Sequence, residues 1–234
     1  MHNAAVCGRF TLTIVERRMV AEMLGVDPYS IPEDYRPRYN IAPTDPHFIV
    51  TSKYEQRNAI GARWGLVNSW THDASRAAAD INAKAETIDT RAAFREAFAQ
   101  RRCVVPADGS YEWVGAKTAR QPIWFHRQDG GLILFAGLYE SWYPEKNQSQ
   151  VTFTIVTCAP NELIAPIHDR MSVVLYERGA DDWMNPLESK PSSFFTLLTS
   201  RDAGVPISAS SGAGTSIHLA ITGRSIHPQR FLRG

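Results

Sequence analysis

Apolar residues recur at helical spacing from Ile14 to Leu24, and Gly25 follows as a left-handed C-cap candidate, which predicts a first helix there. From Tyr29 to Pro46 the periodicity is lost, and four prolines in that stretch predict extended, irregular chain. Strands are predicted at Phe48–Ser52 and Ala62–Val67. A second helix is predicted over Asp89–Arg101, with Ala92, Ala93, Phe94, Ala97 and Phe98 facing inward. Strand signals then follow at Cys103–Pro106, Tyr111–Val114, Ile123–His126, Leu132–Leu138 and Val151–Thr157, broken by Gly, Asp, Pro and Asn. Asn161–Ile164 predicts a short helical turn, Ser172–Leu175 a strand, and Asp181–Trp183 the opening of a last helix. Strands in runs with a few helices beside them, rather than alternating units, predict an α+β fold with a mostly antiparallel sheet or barrel-like core. Residues 7–187 read as a single domain. Beyond them, Ser, Gly, Ala and Thr crowd Ser208–Ser216, so 188–234 reads as a divergent segment, either part of the same domain or a loose tail.

Composition narrows this picture. With 234 residues, 44% hydrophobic and 21% charged, the chain can bury one sizeable core and is not a disordered sequence. Twenty-five Lys and Arg against twenty-four Asp and Glu leave a formal charge of +1, which excludes a polycation that binds nucleic acid by bulk charge. A local basic groove remains compatible with it. Three widely spaced cysteines, Cys7, Cys103 and Cys158, give neither a disulfide framework nor a CxxC metal pair, which favours a reducing compartment. Met1–Phe10 lacks the charged and apolar regions of a signal peptide, and apolar runs such as Leu132–Leu138 are too short to span a membrane. A cytoplasmic, nucleoid or nuclear protein without membrane association is expected. The sequence does not fix the oligomeric state, and a monomer is the default.

Several familiar chemistries are absent. Gly212–Gly214 precedes no amphipathic helix and reads as a linker rather than a phosphate loop. His2, His47, His72, His126, His218 and His227 lack zinc-ligand spacing, and no GxSxG nucleophile elbow occurs. Neither a metal nor an organic cofactor is expected.

Four segments carry more chemistry, although each taken singly has an ordinary structural reading. Cys7-Gly8-Arg9-Phe10 can be a small apolar residue at a strand start. Asn82-Ala83-Lys84-Ala85-Glu86-Thr87 can be a capped loop, with Thr87 or Asp89 as N-cap. In Pro106–Trp113 a turn at Asp108-Gly109 feeds a strand with Tyr111 and Trp113 on one face and Glu112 on the other, by default a solvated carboxylate. Ile167-His168-Asp169-Arg170-Met171 can be a polar turn before the strand at Ser172–Leu175.

Together with Arg38-Tyr39-Asn40-Ile41-Ala42-Pro43-Thr44 and Arg63-Trp64-Gly65-Leu66, these segments, in this order, resemble the SRAP family of SOS response-associated peptidase proteins, which sense abasic sites in DNA. The resemblance runs from about Cys7 to Leu175. It implies an N-terminal cysteine that crosslinks to the aldehyde of a ring-opened abasic sugar in single-stranded DNA. It also implies Glu112 and His168 as acid–base groups, Asn82 as an orienting amide, strand cleavage by β-elimination, and self-processing of the residues before Cys7. The same resemblance makes Arg9, Arg38, Lys84 and Arg170 candidates to line a phosphate groove, Trp70 and Trp113 candidates to stack on bases beside the lesion, and Pro43 a candidate to pack there. The competing readings for these groups are ordinary surface charges and core aromatics. A cysteine-dependent peptidase and a non-catalytic single-stranded DNA-binding module are the alternative functions. Against the family pattern, Asn68 and Ser172 stand in place of prolines, Lys84 in place of arginine and Ser110 in place of a bulky residue. The usual late Val-Asn-Asn segment is not recognisable in Ala203–Gly234.

Overall fold

A computed structural model describes residues 8–54, 56–71, 77, 79–116, 118–145, 148–188, 207–211 and 216–217. Its first half comprises β1 (Phe10–Leu12), α1 (Arg17–Leu24), β2 (Arg38–Ile41), β3 (Pro46–Lys53), β4 (Gln56–Trp64), β5 (Asn82–Lys84) and α2 (Arg95–Gln100). Next come β6 (Arg102–Ala107), β7 (Gly109–Val114), β8 (Gln121–Arg127), β9 (Ile133–Glu145) and β10 (Gln148–Cys158). The chain continues with β11 (Met171–Ser172), β12 (Val174–Leu175), α3 (Glu177–Met184), β13 (Ile207–Ser211) and β14 (Ser216–Ile217).

Strands β10, β4, β3, β6 and β9 pair in that order, and β9 pairs again with β10, which closes a five-stranded barrel. The β10–β4 contact is parallel, as is the short pairing of β5 along β10; the other barrel contacts are antiparallel. A second sheet runs β14-β13-β8-β7-β1-β2. This is the α+β, largely antiparallel architecture that the run of strand signals predicts. Among the described residues no helix is long and apolar enough to cross a membrane.

Large aromatics fill the barrel. Trp64 is fully buried, lies parallel to Phe153 at 6.3 Å and meets Phe10 of β1 at 5.0 Å; Phe10 also meets His47 and Phe135, so β1 is packed onto the barrel through its ring. Gly65 follows β4 at φ 120°, and a Cβ there would lie 2.4 Å from the carbonyl oxygen of Ala77, so this position admits no side chain. Arg102 closes the opposite side. Its buried guanidinium donates to the carbonyls of Phe98, Ala99, Trp183 and Asn185 at 2.6–2.8 Å, satisfying the C-terminal ends of α2 and α3. Burial lowers its pKa. Cys103 and Cys158 are buried, and burial pushes the Cys103 thiol well up.

Local patterns misplace some boundaries. The helix predicted from Ile14 begins at Arg17 instead, because the Thr13 backbone N–H and hydroxyl donate to Asp108 at 2.5 Å and hold that stretch extended. Gly25 does take the left-handed C-cap, at φ 64°. The helix predicted over Asp89–Arg101 is regular only from Arg95 to Gln100, since Phe94 turns into the core. Phe94 is the N-cap residue, so neither Thr87 nor Asp89 caps that helix. The stretch Tyr29–Pro46 contains the paired strand β2, and α3 starts ahead of Asp181. Residues 207–211 pair along β8, with Ser208 and Ala209 buried.

His47 on β3 is wedged between the rings of Phe10 and Phe48, each at 5.0 Å, and its Nε2–H donates to the Pro106 carbonyl at 3.0 Å. Burial, with a smaller contribution from Arg38, lowers its pKa to about 4. The unfolded imidazole titrates near 6.5, so the unfolded state takes up the proton first. Stability is therefore complete above about pH 6.5 and falls toward pH 4, by about 3 kcal/mol at most. Urea unfolding across that range should show this slope, and His47→Gln should flatten it.

Candidate functional site

One carboxylate fixes the path of β7. Asp108, between β6 and β7, accepts from the Thr11 hydroxyl, the Thr13 N–H and the Thr13 hydroxyl, each at 2.5 Å, while its own N–H donates to the Thr11 carbonyl at 2.9 Å. A Cβ on Gly109 would fall 1.9 Å from Trp124 Nε1, so the strand can leave the barrel there only as glycine. Period-two alternation then puts Ser110 and Glu112 on one face and Tyr111 and Trp113 on the other, with ring centroids 6.3 Å apart. Glu112 is 3% exposed, not the solvated strand carboxylate of the ordinary reading.

The chain after β10 covers that face. Asn161 starts a turn, its Oδ1 accepting from the Ile164 N–H at 3.0 Å and its carbonyl from the Ala165 N–H at 2.9 Å. Leu163, Ile164 and Ile167 pack against Ile123 and Phe125 of β8 and Ala209 of β13, which bridges the loop to the second sheet. His168 follows. Its Nδ1 accepts from the Arg170 N–H at 3.2 Å and lies 2.8 Å from Asp169 Oδ1. The first contact needs Nδ1 bare and the second needs a hydrogen on Nδ1, so the two partners are alternatives set by which ring nitrogen carries the hydrogen. Glu112, Trp113, Arg120, Ile167 and His168 line one cleft of about 340 Å³.

Arg170 ties this loop to the barrel. Its guanidinium makes a two-pronged pair with Glu86, at 2.6 and 2.8 Å, and donates to the Thr157 carbonyl at 2.7 Å. The hydrogen bonds from Arg170 hold the Glu86 carboxyl below its ordinary pKa. In β5 the backbone of Asn82 lies beside Ile155 and that of Lys84 beside Thr157, with Ala83 buried between them. Asn82, Lys84, Arg170 and His168 thus gather around the C-terminal end of β10. A phosphate approaching Arg170 has to compete with Glu86 for the guanidinium.

The other sequence candidates are distributed around this centre. Cys7 lies outside the described residues. Gly8 is buried, and the Arg9 carbonyl accepts from the Tyr111 N–H at 3.0 Å. Continuing the Phe10–Ser110 register sets Gly8 opposite Glu112. The Arg9 guanidinium folds back onto the Gly8 carbonyl at 2.6 Å. Arg38 is paired with Asp45 and the Pro46 carbonyl. Pro43 sits in the turn after β2, beyond the residue facing Phe10. Trp70 is 53% exposed and lines a different cleft, of about 210 Å³, together with Arg91. Sequence reading did not single out Arg120, and it left Asn161 and Asp108 as turn residues and Glu86 as a loop residue. Among the described residues no three His, Cys, Asp or Glu side chains gather as a metal site.

The family model for SOS response associated peptidase (SRAP) matches residues 6–209. The chain belongs to the SRAP family. A relative named abasic site processing protein YoqW, from Bacillus subtilis, is 36% identical over 200 residues, covering 85% of this chain and 88% of that one. YedK of Escherichia coli, with the same descriptive name, is 29% identical over 181 residues, covering 76% and 79%. Among solved structures, a protein from Bacteroides thetaiotaomicron superposes with a TM-score of 0.75 at 24% identity, covering 88% of this chain and 91% of that one. A phage-related protein from Bordetella bronchiseptica superposes with a TM-score of 0.63 at 28% identity, covering 88% and 93%. In this SRAP chain the described parts of the segments quoted above become β1, β2 with the turn after it, the end of β4, β5, β7 and the loop before β11.

The Arg170–Glu86 pair predicts how the loop is held. Arg170→Gln should raise hydrogen exchange of the 164–170 amides about 5- to 10-fold, the loss expected for one charge-assisted contact, while β6 and β9 stay protected. Equal protection in both proteins would show that the pair does not anchor the loop.

Proposed function

We propose that this protein captures abasic sites in single-stranded DNA covalently, through Cys7 once the residues before it are removed. The observation that carries the reading is that Glu112 and His168 line one cleft, and that continuing the Phe10–Ser110 register sets Gly8, the residue after Cys7, opposite Glu112. Family membership and the names of the relatives supply the substrate class.

The chemistry follows from an N-terminal cysteine being a 1,2-aminothiol. Its α-amine, with an ordinary pKa of about 7.7–8.0, is partly neutral at physiological pH and condenses with the sugar aldehyde to an imine, releasing water. The thiol then adds across the C=N bond and closes a five-membered thiazolidine, with the effective molarity that two groups on one residue provide. An internal cysteine has an amide nitrogen and cannot do this, so removal of Met1–Val6 is part of the proposal. The Cys7 thiol is a candidate nucleophile on the preceding carbonyl in that step. Glu112 moves protons at the amine during imine formation and reversal, and in strand cleavage by β-elimination. His168 moves a proton at the sugar oxygen as the ring opens. Asn82 orients the amine or sugar without protonating it. For DNA contacts we propose Arg9, Arg38, Lys84 and Arg170 as phosphate partners and Trp70 and Trp113, with Pro43, as stacking surfaces beside the lesion.

The test is a single-stranded oligonucleotide with one abasic site, followed by a denaturing gel and intact mass. A chain beginning at Cys7 should give an adduct that Cys7→Ala abolishes and Glu112→Gln slows by about 100-fold or more. Binding without an adduct would favour the non-catalytic module. Cys7-dependent loss of Met1–Val6 without an adduct would favour a self-processing peptidase.

A further inference from the structure

The cleft that holds Glu112 and His168 contains one more ionic group, used neither by the acid–base roles nor by the phosphate partners proposed above. Arg120, in the loop between β7 and β8, lines that cleft beside Trp113. Continuing the Trp113–Pro122 and Val114–Gln121 register sets it opposite Gly115, and a Cβ on Gly115 would lie 3.9 Å from the Arg120 Cα. Glycine brings no side chain across the hairpin to cover or pair the guanidinium. Arg120 is exposed, and among the described residues it makes no hydrogen bond or ion pair.

Three of the other candidate cations are engaged. Arg38 and Arg170 are each paired with a carboxylate, and the Arg9 guanidinium is turned onto the Gly8 carbonyl. A phosphate reaching Arg38 or Arg170 has to displace a carboxylate, whereas one reaching Arg120 displaces only water. Among the described residues lining the cleft, Arg120 is also the one permanent cation, because His168 is charged only when protonated. A carboxylate in a cleft repels a phosphodiester brought up to it, and a guanidinium in the same space offsets that repulsion. Its planar fork matches two phosphate oxygens, which an ammonium does not.

We propose that Arg120 binds one of the two phosphates flanking the abasic sugar, and so seats the lesion against Glu112 and His168. The substrate in this proposal rests on the proposed function; the contact itself is additional to it. Arg120 acts on binding and placement and moves no proton.

The experiment is equilibrium binding of the full chain, over a range of salt, to a single-stranded oligonucleotide carrying one tetrahydrofuran abasic analogue, which has no aldehyde and forms no adduct. At fixed moderate salt Arg120→Gln should weaken binding about 10-fold. It should also reduce the slope of log affinity against log salt by about 0.7, the share of one phosphate on a single strand. Arg120→Lys should keep the slope and lose part of the affinity. Arg18→Gln, at an exposed arginine of α1 outside the cleft, should change neither. An uncharged methylphosphonate at the contacted flanking position should remove the difference between the wild type and Arg120→Gln. Equal slopes for those two proteins, or a difference that survives methylphosphonate at both flanking positions, would overturn the proposal. With an aldehyde-bearing site, absence of any adduct would strike the covalent function and leave the salt slopes to decide the Arg120 contact. Absence of any binding by the wild type would overturn both.

Discussion

The Asp108 carboxylate is the joint on which the molecule turns. It lies where the chain passes from the last barrel residue of β6 into the second sheet, and it binds Thr11 and Thr13 of the N-terminal segment in the same place. One buried anion therefore sets the direction of β7 and anchors β1 beside it. Gly109 adds the steric half of the constraint, because the Trp124 indole occupies the space of a side chain. Once β7 is aimed, the alternation along it decides which side chains face inward, and Glu112 follows without further instruction.

The second requirement is a cover for that face, which the loop between β10 and β11 provides. Its apolar residues seat on β8 and β13, and its basic residue reaches back across β10 to Glu86. A loop carrying an acid–base candidate is held at both ends, by packing on one sheet and a two-pronged ion pair on the other. The position of His168 is thus a consequence of contacts made by residues that do no chemistry. Such a loop is better suited to hold a geometry than a free one.

The split between what sequence reading reached and what it missed has a physical cause. Period-two alternation put Tyr111 and Trp113 opposite Glu112, because that pattern is local, whereas Asn82–Thr87, which reads as a capped loop, becomes β5 only through its pairing with β10. Which face of β7 is covered depends on residues about fifty positions later, so the buried state of Glu112 was illegible. The helix start at Arg17 was misplaced for the same reason, since Asp108 removes Thr13 from helical geometry across the fold. Residues 207–211, poor in strand formers, pair along β8 through backbone groups that composition does not reveal. The constellation of candidate residues was legible only through the order of short segments. Their division into a Glu112–His168 cleft, a cluster at the end of β10 and a separate Trp70 cleft was not.

Formal charge and site chemistry fit together under the proposed function. A chain of net charge +1 has little long-range pull on a polyanion, and two of its four candidate cations are already paired: Arg38 with Asp45 and Arg170 with Glu86. A protein that holds DNA by equilibrium contacts needs those charges free. One that forms a covalent bond needs only to keep a sugar beside its nucleophile until the imine forms, after which noncovalent affinity no longer sets the residence time. Paired arginines can then serve as rigid walls whose carboxylate partners are exchanged for phosphate when DNA arrives, with Glu86, half-exposed, the easier one to displace. Under the proposed function, the weak net charge leaves little to the surface field and assigns selectivity to the cleft between Glu112 and His168.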